Sequence, residues 1–195
     1  MKKVDEKSSN HDCWIAILLL TTLIILIQSL KRVSISISFG ILLLPLVYFI
    51  SNYILKKYDY KKAIAAIAIS GVISISFHVI LAFFLERNNI LTNSCGDFCG
   101  YVVSQFIHIL CYEYLWNRNN REPLMIYLTY IGSVVVYLLF FCLIYLYLVL
   151  NDGFWFNFFL LILVEAIICI PITYMDLLLK IEKPKKNKTT RFKFV

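Results

Sequence analysis

Six long apolar stretches occupy most of this 195-residue chain, and short polar gaps separate them. Each stretch has close to the 18 or more residues that an α-helix needs to cross roughly 30 Å of hydrocarbon. Only helices and closed barrels satisfy their backbone hydrogen bonds in lipid, so the pattern predicts an all-α integral membrane protein, a bundle of six transmembrane helices. The predicted spans are 13–30, 35–55, 62–85, 98–115, 123–150 and 156–179.

The positive charges fall mainly into every second gap. The N-terminus, the second gap (Lys56 to Lys62), the fourth gap and the C-terminal end hold 3, 4, 2 and 7 Lys and Arg residues, 16 in all, against 3 in the other gaps; Lys62, the first residue of the third span, is counted with the second gap. Cytoplasmic loops retain Lys and Arg, so both termini are expected in the cytoplasm. We therefore expect a cytoplasmic N-terminus at 1–12, a transmembrane domain at 13–179 and a basic cytoplasmic tail at 180–195, in the inner (plasma) membrane.

Composition and motifs narrow the class of function. Hydrophobic residues make up 61% of the chain and charged residues 16%, and no gap is long enough for a soluble catalytic domain. The sequence has no glycine-rich phosphate loop and no HExxH pattern, so we expect no enzyme, no cofactor, no metal site and no ATP hydrolysis. The basic tail is interpreted as a topology anchor attracted to the anionic lipid bilayer rather than as a nucleic-acid patch.

Two cysteines and a histidine suggest a different, enzymatic interpretation. Cys95 and Cys99 lie four residues apart in the third gap, where they are able to form a disulfide or half of a metal site. A thiolate beside an imidazole is an activated nucleophile, so His78 with this pair would indicate an intramembrane cysteine peptidase. The predicted topology argues against it, because His78 lies inside the third span while both cysteines follow on the outer side.

Polar residues within the spans mark the candidate site, because each is costly in hydrocarbon and usually faces an interior. Those of the fourth span recur every three or four residues and share one helix face. Helix–helix hydrogen bonding is the alternative role for any single residue, but for the set we expect one polar cavity into which Gln105, His108 and Glu165 point together. The candidate substrate-binding residues are Asn52, His78, Tyr101, Ser104, Gln105, His108, Tyr130, Ser133, Tyr137 and Glu165.

The order of several short motifs resembles the queuosine precursor transporter family, also called the vitamin uptake transporter family. The similarity begins in the stretch from Phe39 to Val72 and continues through the last predicted span. Each motif alone is weak, and their order carries the resemblance. The matching residues are Pro45, Tyr58, Lys61-Lys62-Ala63, Ser104-Gln105, Arg118-Asn119-Asn120, Pro171 and Tyr174.

The chain departs from the family pattern at its polar positions. Asn52, Lys56 and Asp59 stand where the family usually has Asp, Glu and Gly, and His108 stands where the fourth helix usually has Asp. The Ser-Gln and Asp pattern of the family's fifth helix is reduced to Ser133. These differences leave Glu165 as the one deep carboxylate outside the ends of the spans.

The resemblance implies a transporter that imports a small planar heterocycle, such as 7-cyano-7-deazaguanine or its aminomethyl relative. Such a base would stack on tyrosines, and its two adjacent N–H donors would bind the Glu165 carboxylate. The partners implied are this deazaguanine-like base and the lipid bilayer, with the protein acting as a homo-oligomer or with a separate energising subunit. A non-transporting scaffold or accessory subunit is the alternative.

Overall fold

The structure, a computed structural model, describes residues 2–30, 40–84, 88–117, 122–144 and 154–179. In these residues the chain forms six α-helices and no strand, and a short 3-10 helix at Ile41–Leu43 leads into the second of them. The helices are α1 (Lys2–Leu30), α2 (Leu44–Lys57), α3 (Tyr60–Phe84), α4 (Asn88–Asn117), α5 (Pro123–Ile144) and α6 (Phe154–Leu178).

Four helices of the described part are long and apolar enough to cross a membrane. They contain the segments His11–Ser29, Tyr60–Phe84, Pro123–Phe140 and Phe158–Leu178. The prediction of an all-helical protein with several membrane-spanning helices is therefore confirmed. Of the remaining two helices, α2 has only 14 residues, and α4 carries polar residues such as Gln105 and His108 along its apolar part.

Helix α2 is the centre of the bundle. It contacts each of the other five helices, which neighbour one another in the order α1, α3, α4, α5 and α6. Nine of its 14 residues are buried, and its length of about 21 Å is shorter than the hydrocarbon layer. Because its neighbours shield it from lipid, α2 is able to hold the polar residues Ser51, Asn52 and Lys56 near its middle and end.

Helix α6 shows how the outer helices divide into two faces. Glu165, Cys169 and Asp176 are buried on its inner side, whereas Leu163 and Ile167 are each 58% exposed on the opposite side. A lipid-facing surface of large apolar side chains and a polar surface turned toward the protein is the arrangement expected in a membrane. The outer surface of α6 therefore faces lipid and its inner surface faces α2.

Two predicted boundaries differ from the structure. The third gap was expected to be a loop, but α4 already begins at Asn88, so Cys95 and Cys99 both lie in a helix. Cys99 is an exposed free thiol, and the side chain of Cys95 lies outside the described residues. Hydropathy missed this segment because it detects the apolar part of a helix and not its polar extension.

The N-terminal end of the predicted first span is also part of a longer helix, since α1 extends from Lys2 to Leu30. Asp12 of this helix lies 2.7 Å from Lys57, the last residue of α2. The hydrogen bond to the Asp12 carboxylate raises the pKa of Lys57 above its ordinary value. This partly exposed ion pair holds the end of the central helix against α1.

Candidate functional site

The ten residues predicted to form the site are all buried, and none is more than 3% exposed. They come from α2, α3, α4, α5 and α6. The structure does not give them one common role, because their hydrogen bonds divide them into a paired cluster, an unpaired set and several packing positions.

The first group is a hydrogen-bonded cluster that joins three helices. The Asn52 amide nitrogen of α2 donates to the Tyr130 hydroxyl of α5 at 3.0 Å, and the Asn52 oxygen lies 3.0 Å from His108 Nε2 of α4. On the other side of the imidazole ring, His108 Nδ1 lies 2.9 Å from the Ser133 hydroxyl of α5. Asn52 thereby links α2 to both α4 and α5.

The direction of these bonds determines the state of the imidazole. Because the Asn52 nitrogen faces Tyr130, its oxygen is left to accept a hydrogen from His108 Nε2. A neutral His108 then has an acceptor at Nδ1, which faces the Ser133 hydroxyl. The Ser133 hydroxyl also lies 2.7 Å from the Thr129 carbonyl, so its single hydrogen serves one of two acceptors.

A column of stacked rings runs through the same cluster. Tyr48 of α2 stacks on His108 with ring centroids 4.6 Å apart and planes inclined by 25°. Further along α4, His108 stacks on Tyr112 at 6.1 Å, and Tyr112 stacks on Trp116 at 6.4 Å. The four-residue spacing within α4 places these three rings on one face. The Tyr48 hydroxyl donates to the Ser133 carbonyl, which fixes the start of the column.

A buried ion pair closes one end of this column. Lys56 Nζ donates to the carboxylate and to the carbonyl oxygen of Asp176, both at 2.7 Å, and the two side chains are 2% and 0% exposed. Tyr112 donates to the second carboxylate oxygen at 2.6 Å. The ammonium group also lies 5.5 and 5.4 Å from the ring centres of Tyr112 and Trp116.

The interpretation of Lys56 as a charge in a cytoplasmic gap is therefore wrong. The helix continues past Leu55, and the side chain of Lys56 turns inward because a carboxylate and two aromatic rings compensate its charge. Sequence reasoning also left Tyr48, Tyr112 and Asp176 out of the site. One signal was available for Asp176, which shares a helix face with Glu165.

The second group consists of buried polar atoms without partners among the described residues. Both carboxylate oxygens of Glu165, the amide nitrogen of Gln105 and the hydroxyl of Thr173 make no hydrogen bond there. Gln105 accepts one bond from Ser51 of α2 at 2.9 Å, so its side-chain oxygen is satisfied and its nitrogen is not. The unpaired atoms thus comprise two strong acceptors, one amide donor and one hydroxyl.

Glu165 lies near the paired cluster without bonding to it. It is 1% exposed and close enough to the Tyr48 hydroxyl and to Cys169 to interact with them electrostatically. An ionised carboxylate without a partner in such surroundings costs several kcal/mol or more. The Glu165 carboxyl therefore needs a proton or a ligand that donates hydrogen bonds.

The remaining candidates serve packing or local hydrogen bonds. The Tyr101 and Ser70 hydroxyls lie 3.0 Å apart between α4 and α3, and Ser104 donates to the carbonyl of Tyr101. The Tyr137 ring packs close to Gly100, where a Cβ would come within 3.4 Å of it. Tyr101 thus links α4 to α3 and Tyr137 packs α5 against α4, whereas Ser104 bonds within α4.

His78 belongs to another interface. Its Nδ1 lies 2.8 Å from the carbonyl of Ser74 in α3, and the Ser74 hydroxyl donates to Gln28 of α1 at 3.0 Å. Among the described residues, no three His, Cys, Asp or Glu side chains form a group that could hold a metal ion. The interior shared by α2, α4, α5 and α6 is therefore the candidate site.

No protein-family model, curated protein or solved structure matches this chain.

Proposed function

We propose that this protein is a membrane transporter that imports a small planar heterocycle, with a queuosine precursor such as 7-cyano-7-deazaguanine as the substrate. The observation that supports this most is the unpaired Glu165 carboxylate, together with the unpaired Gln105 amide, in the interior of the bundle. Buried polar groups in membrane helices that lack a protein partner are typical of substrate or ion pathways.

The unpaired atoms fit the hydrogen-bonding edge of a guanine-like base. Such an edge presents two adjacent N–H donors beside a carbonyl acceptor. The two oxygens of Glu165 accept the N–H pair, and the free Gln105 nitrogen donates to the carbonyl. Tyr48, whose hydroxyl lies near Glu165, is the aromatic side chain suited to stack on the flat ring.

Two residues that depart from the pattern of the queuosine precursor transporter family are paired within this protein. Asn52 is bonded to His108, and Lys56 is bonded to Asp176, so the positions that differ from the family are paired inside this protein. That pairing leaves Glu165 as the carboxylate available to a substrate. The hydrogen-bond geometry therefore favours Glu165, a residue outside the matching motifs.

For the topology, we propose six spans in the inner membrane, with both termini in the cytoplasm. Removing the buried Lys56 from the charge count lowers the cytoplasmic total from 16 to 15 against 3, so the imbalance of Lys and Arg remains. Cys99, an exposed thiol, then faces the outside. An impermeant thiol reagent applied to intact cells after reduction should label Cys95 or Cys99, and labelling only after the membrane is opened would reject this topology.

Complementation tests the function. The protein is expressed in a strain that lacks both precursor synthesis and its own importer, and queuosine in tRNA is measured at low external precursor. We expect restoration by the wild type and none by Glu165→Gln at equal membrane levels. Lys57→Met is the matched control, because Lys57 forms a partly exposed ion pair with Asp12 and is not one of the proposed substrate-binding residues. Normal membrane levels of the wild type without restoration would reject this substrate and favour a scaffold.

A further inference from the structure

We propose that Glu165 is a proton-binding site whose proton is exchanged for the substrate. The carboxyl is protonated in the empty protein and releases that proton when a ligand with two N–H donors arrives. The exchange step rests on the proposed function, whereas the presence of a proton on Glu165 in the empty protein does not.

No described group compensates a negative charge on Glu165. Glu165 is 1% exposed, and neither of its oxygens has a hydrogen-bond donor among the described residues. A bare carboxylate in a membrane interior is costly, and taking up a proton removes its net charge. The empty protein therefore holds Glu165 as a neutral acid.

The groups around Glu165 do not supply a cation. Tyr48 of α2 and Cys169 of α6 are the titratable groups that interact with it, and both are uncharged near neutral pH. His108 of α4 is engaged on both nitrogens by Asn52 and Ser133. The other titratable groups of α4 and α5 that are buried in the bundle are Tyr101, Tyr112, Tyr130 and Tyr137. Tyr127 of α5 bonds to the carbonyl of Ala166, next to Glu165. The charges of Lys56 and Asp176 compensate each other at 2.7 Å.

A protonated Glu165 carboxyl does not match the two N–H donors of the substrate. An ionised carboxylate accepts hydrogen bonds at both oxygens, whereas a protonated one presents a hydroxyl donor at one of them. Two adjacent N–H donors thus bind only the ionised form. On binding, the O–H bond of Glu165 breaks, the electron pair stays on the carboxylate and the proton leaves to water, one proton for each substrate.

The exchange has a consequence for direction. The proton leaves on the side from which the substrate enters, and another is taken up where the substrate is released, so each imported molecule moves one proton outward. An inward-directed proton gradient then opposes accumulation. Net uptake depends on a cytoplasmic reaction that consumes the heterocycle.

Infrared spectroscopy of the purified, empty protein tests the proton directly. We expect the carbonyl stretch of a protonated carboxylic acid near neutral pH in the wild type and its loss in Glu165→Gln. Glu122→Gln, a change at an exposed position before α5, is the control that should keep the band. A band that is absent from the wild type, or that persists in Glu165→Gln, would overturn the proposal.

Calorimetry with 7-cyano-7-deazaguanine in two buffers of different ionisation enthalpy tests the exchange. We expect one proton to be released per bound ligand, and the apparent affinity to fall about tenfold for each unit by which the pH is lowered while Glu165 remains protonated. Binding without proton release would overturn the exchange. If this ligand does not bind, the proposed function fails while the infrared result still decides whether Glu165 holds a proton.

Discussion

Two sets of buried polar groups, a paired region and an unpaired region, occur in the interior of this protein, and they differ in how their hydrogen bonds are satisfied. In the paired region, Asn52, His108, Lys56 and Asp176 bond to one another or to neighbouring hydroxyl and carbonyl groups. In the unpaired region, Glu165 and its companions make no such bonds among the described residues. Since both regions are equally buried, burial alone does not distinguish a structural polar group from a binding group.

The paired region belongs to the framework of the bundle. It connects the central helix α2 to α4, α5 and α6. Loss of the charge of Lys56 or of Asp176 would leave the other residue buried and uncompensated. The unpaired region is held by the same helices and faces the same central helix. A rigid framework next to unsatisfied groups is the arrangement that a binding site requires. Under the proposed function, the paired region stabilises the bundle and the unpaired region binds the ligand.

The largest effect is expected from breaking the buried ion pair. Lys56→Met should lower the free energy of unfolding by about 3–5 kcal/mol, because Asp176 is left buried without its cationic partner. Lys57→Met, which removes the neighbouring but partly exposed pair with Asp12, should cost at most about 1 kcal/mol. Denaturant unfolding of both purified variants in the same detergent measures the difference.

A second variant distinguishes a lost ion pair from a poorly tolerated methionine. Lys56→Met combined with Asp176→Leu removes both charges and should recover most of the lost stability. Equal losses from Lys56→Met and Lys57→Met, with no recovery in the double variant, would contradict the assignment of the paired region to stability.

A change of opposite sign is expected in the unpaired region. Glu165→Leu should raise the free energy of unfolding by about 1–3 kcal/mol, because it removes a buried group that has no partner. The same variant should lose uptake of the substrate. Unfolding and uptake measured on one preparation check both parts, and a variant that is less stable than the wild type would show that Glu165 has a structural partner.

The smallest effect comes from two hydroxyl groups of opposite status. Ser133→Ala removes a hydroxyl bonded to its neighbours and should lower the free energy of unfolding by about 0.6 kcal/mol. Thr173→Val removes an unpaired hydroxyl at nearly constant shape and should raise that free energy by a few tenths of a kcal/mol. The two signs, measured in parallel denaturation experiments, would separate the regions at single side chains. Equal losses of stability in Ser133→Ala and Thr173→Val would contradict the distinction between the two regions.

Sequence patterns predicted an all-helical protein with several membrane-spanning helices and the inner face of α4. Spacing of three and four residues predicted that Gln105 and His108 are turned inward, because helical periodicity is a local property. The partner of Lys56 could not be predicted in this way, since Asp176 lies 120 residues further along the chain. Only the packing of α6 against α2 brings the two charges together.

The distinction between paired and unpaired groups is also beyond local patterns. Asn52 and Gln105 are both amides on inner helix faces, yet Asn52 is bonded at both ends and Gln105 only at its oxygen. Whether a second partner is present depends on which side chains of other helices arrive within about 3 Å. That information exists only in the packed bundle.

Equilibrium binding of 7-cyano-7-deazaguanine to the purified protein tests the central claim most directly. We predict that the wild type binds this ligand, that Glu165→Gln binds it about 100-fold or more weakly, and that an analogue without the 2-amino group loses affinity for the wild type to a similar degree. Ser133→Ala, which alters only the paired region, should bind nearly as well as the wild type. Equal affinity of the wild type and Glu165→Gln for the ligand would contradict the assignment of the unpaired region to binding.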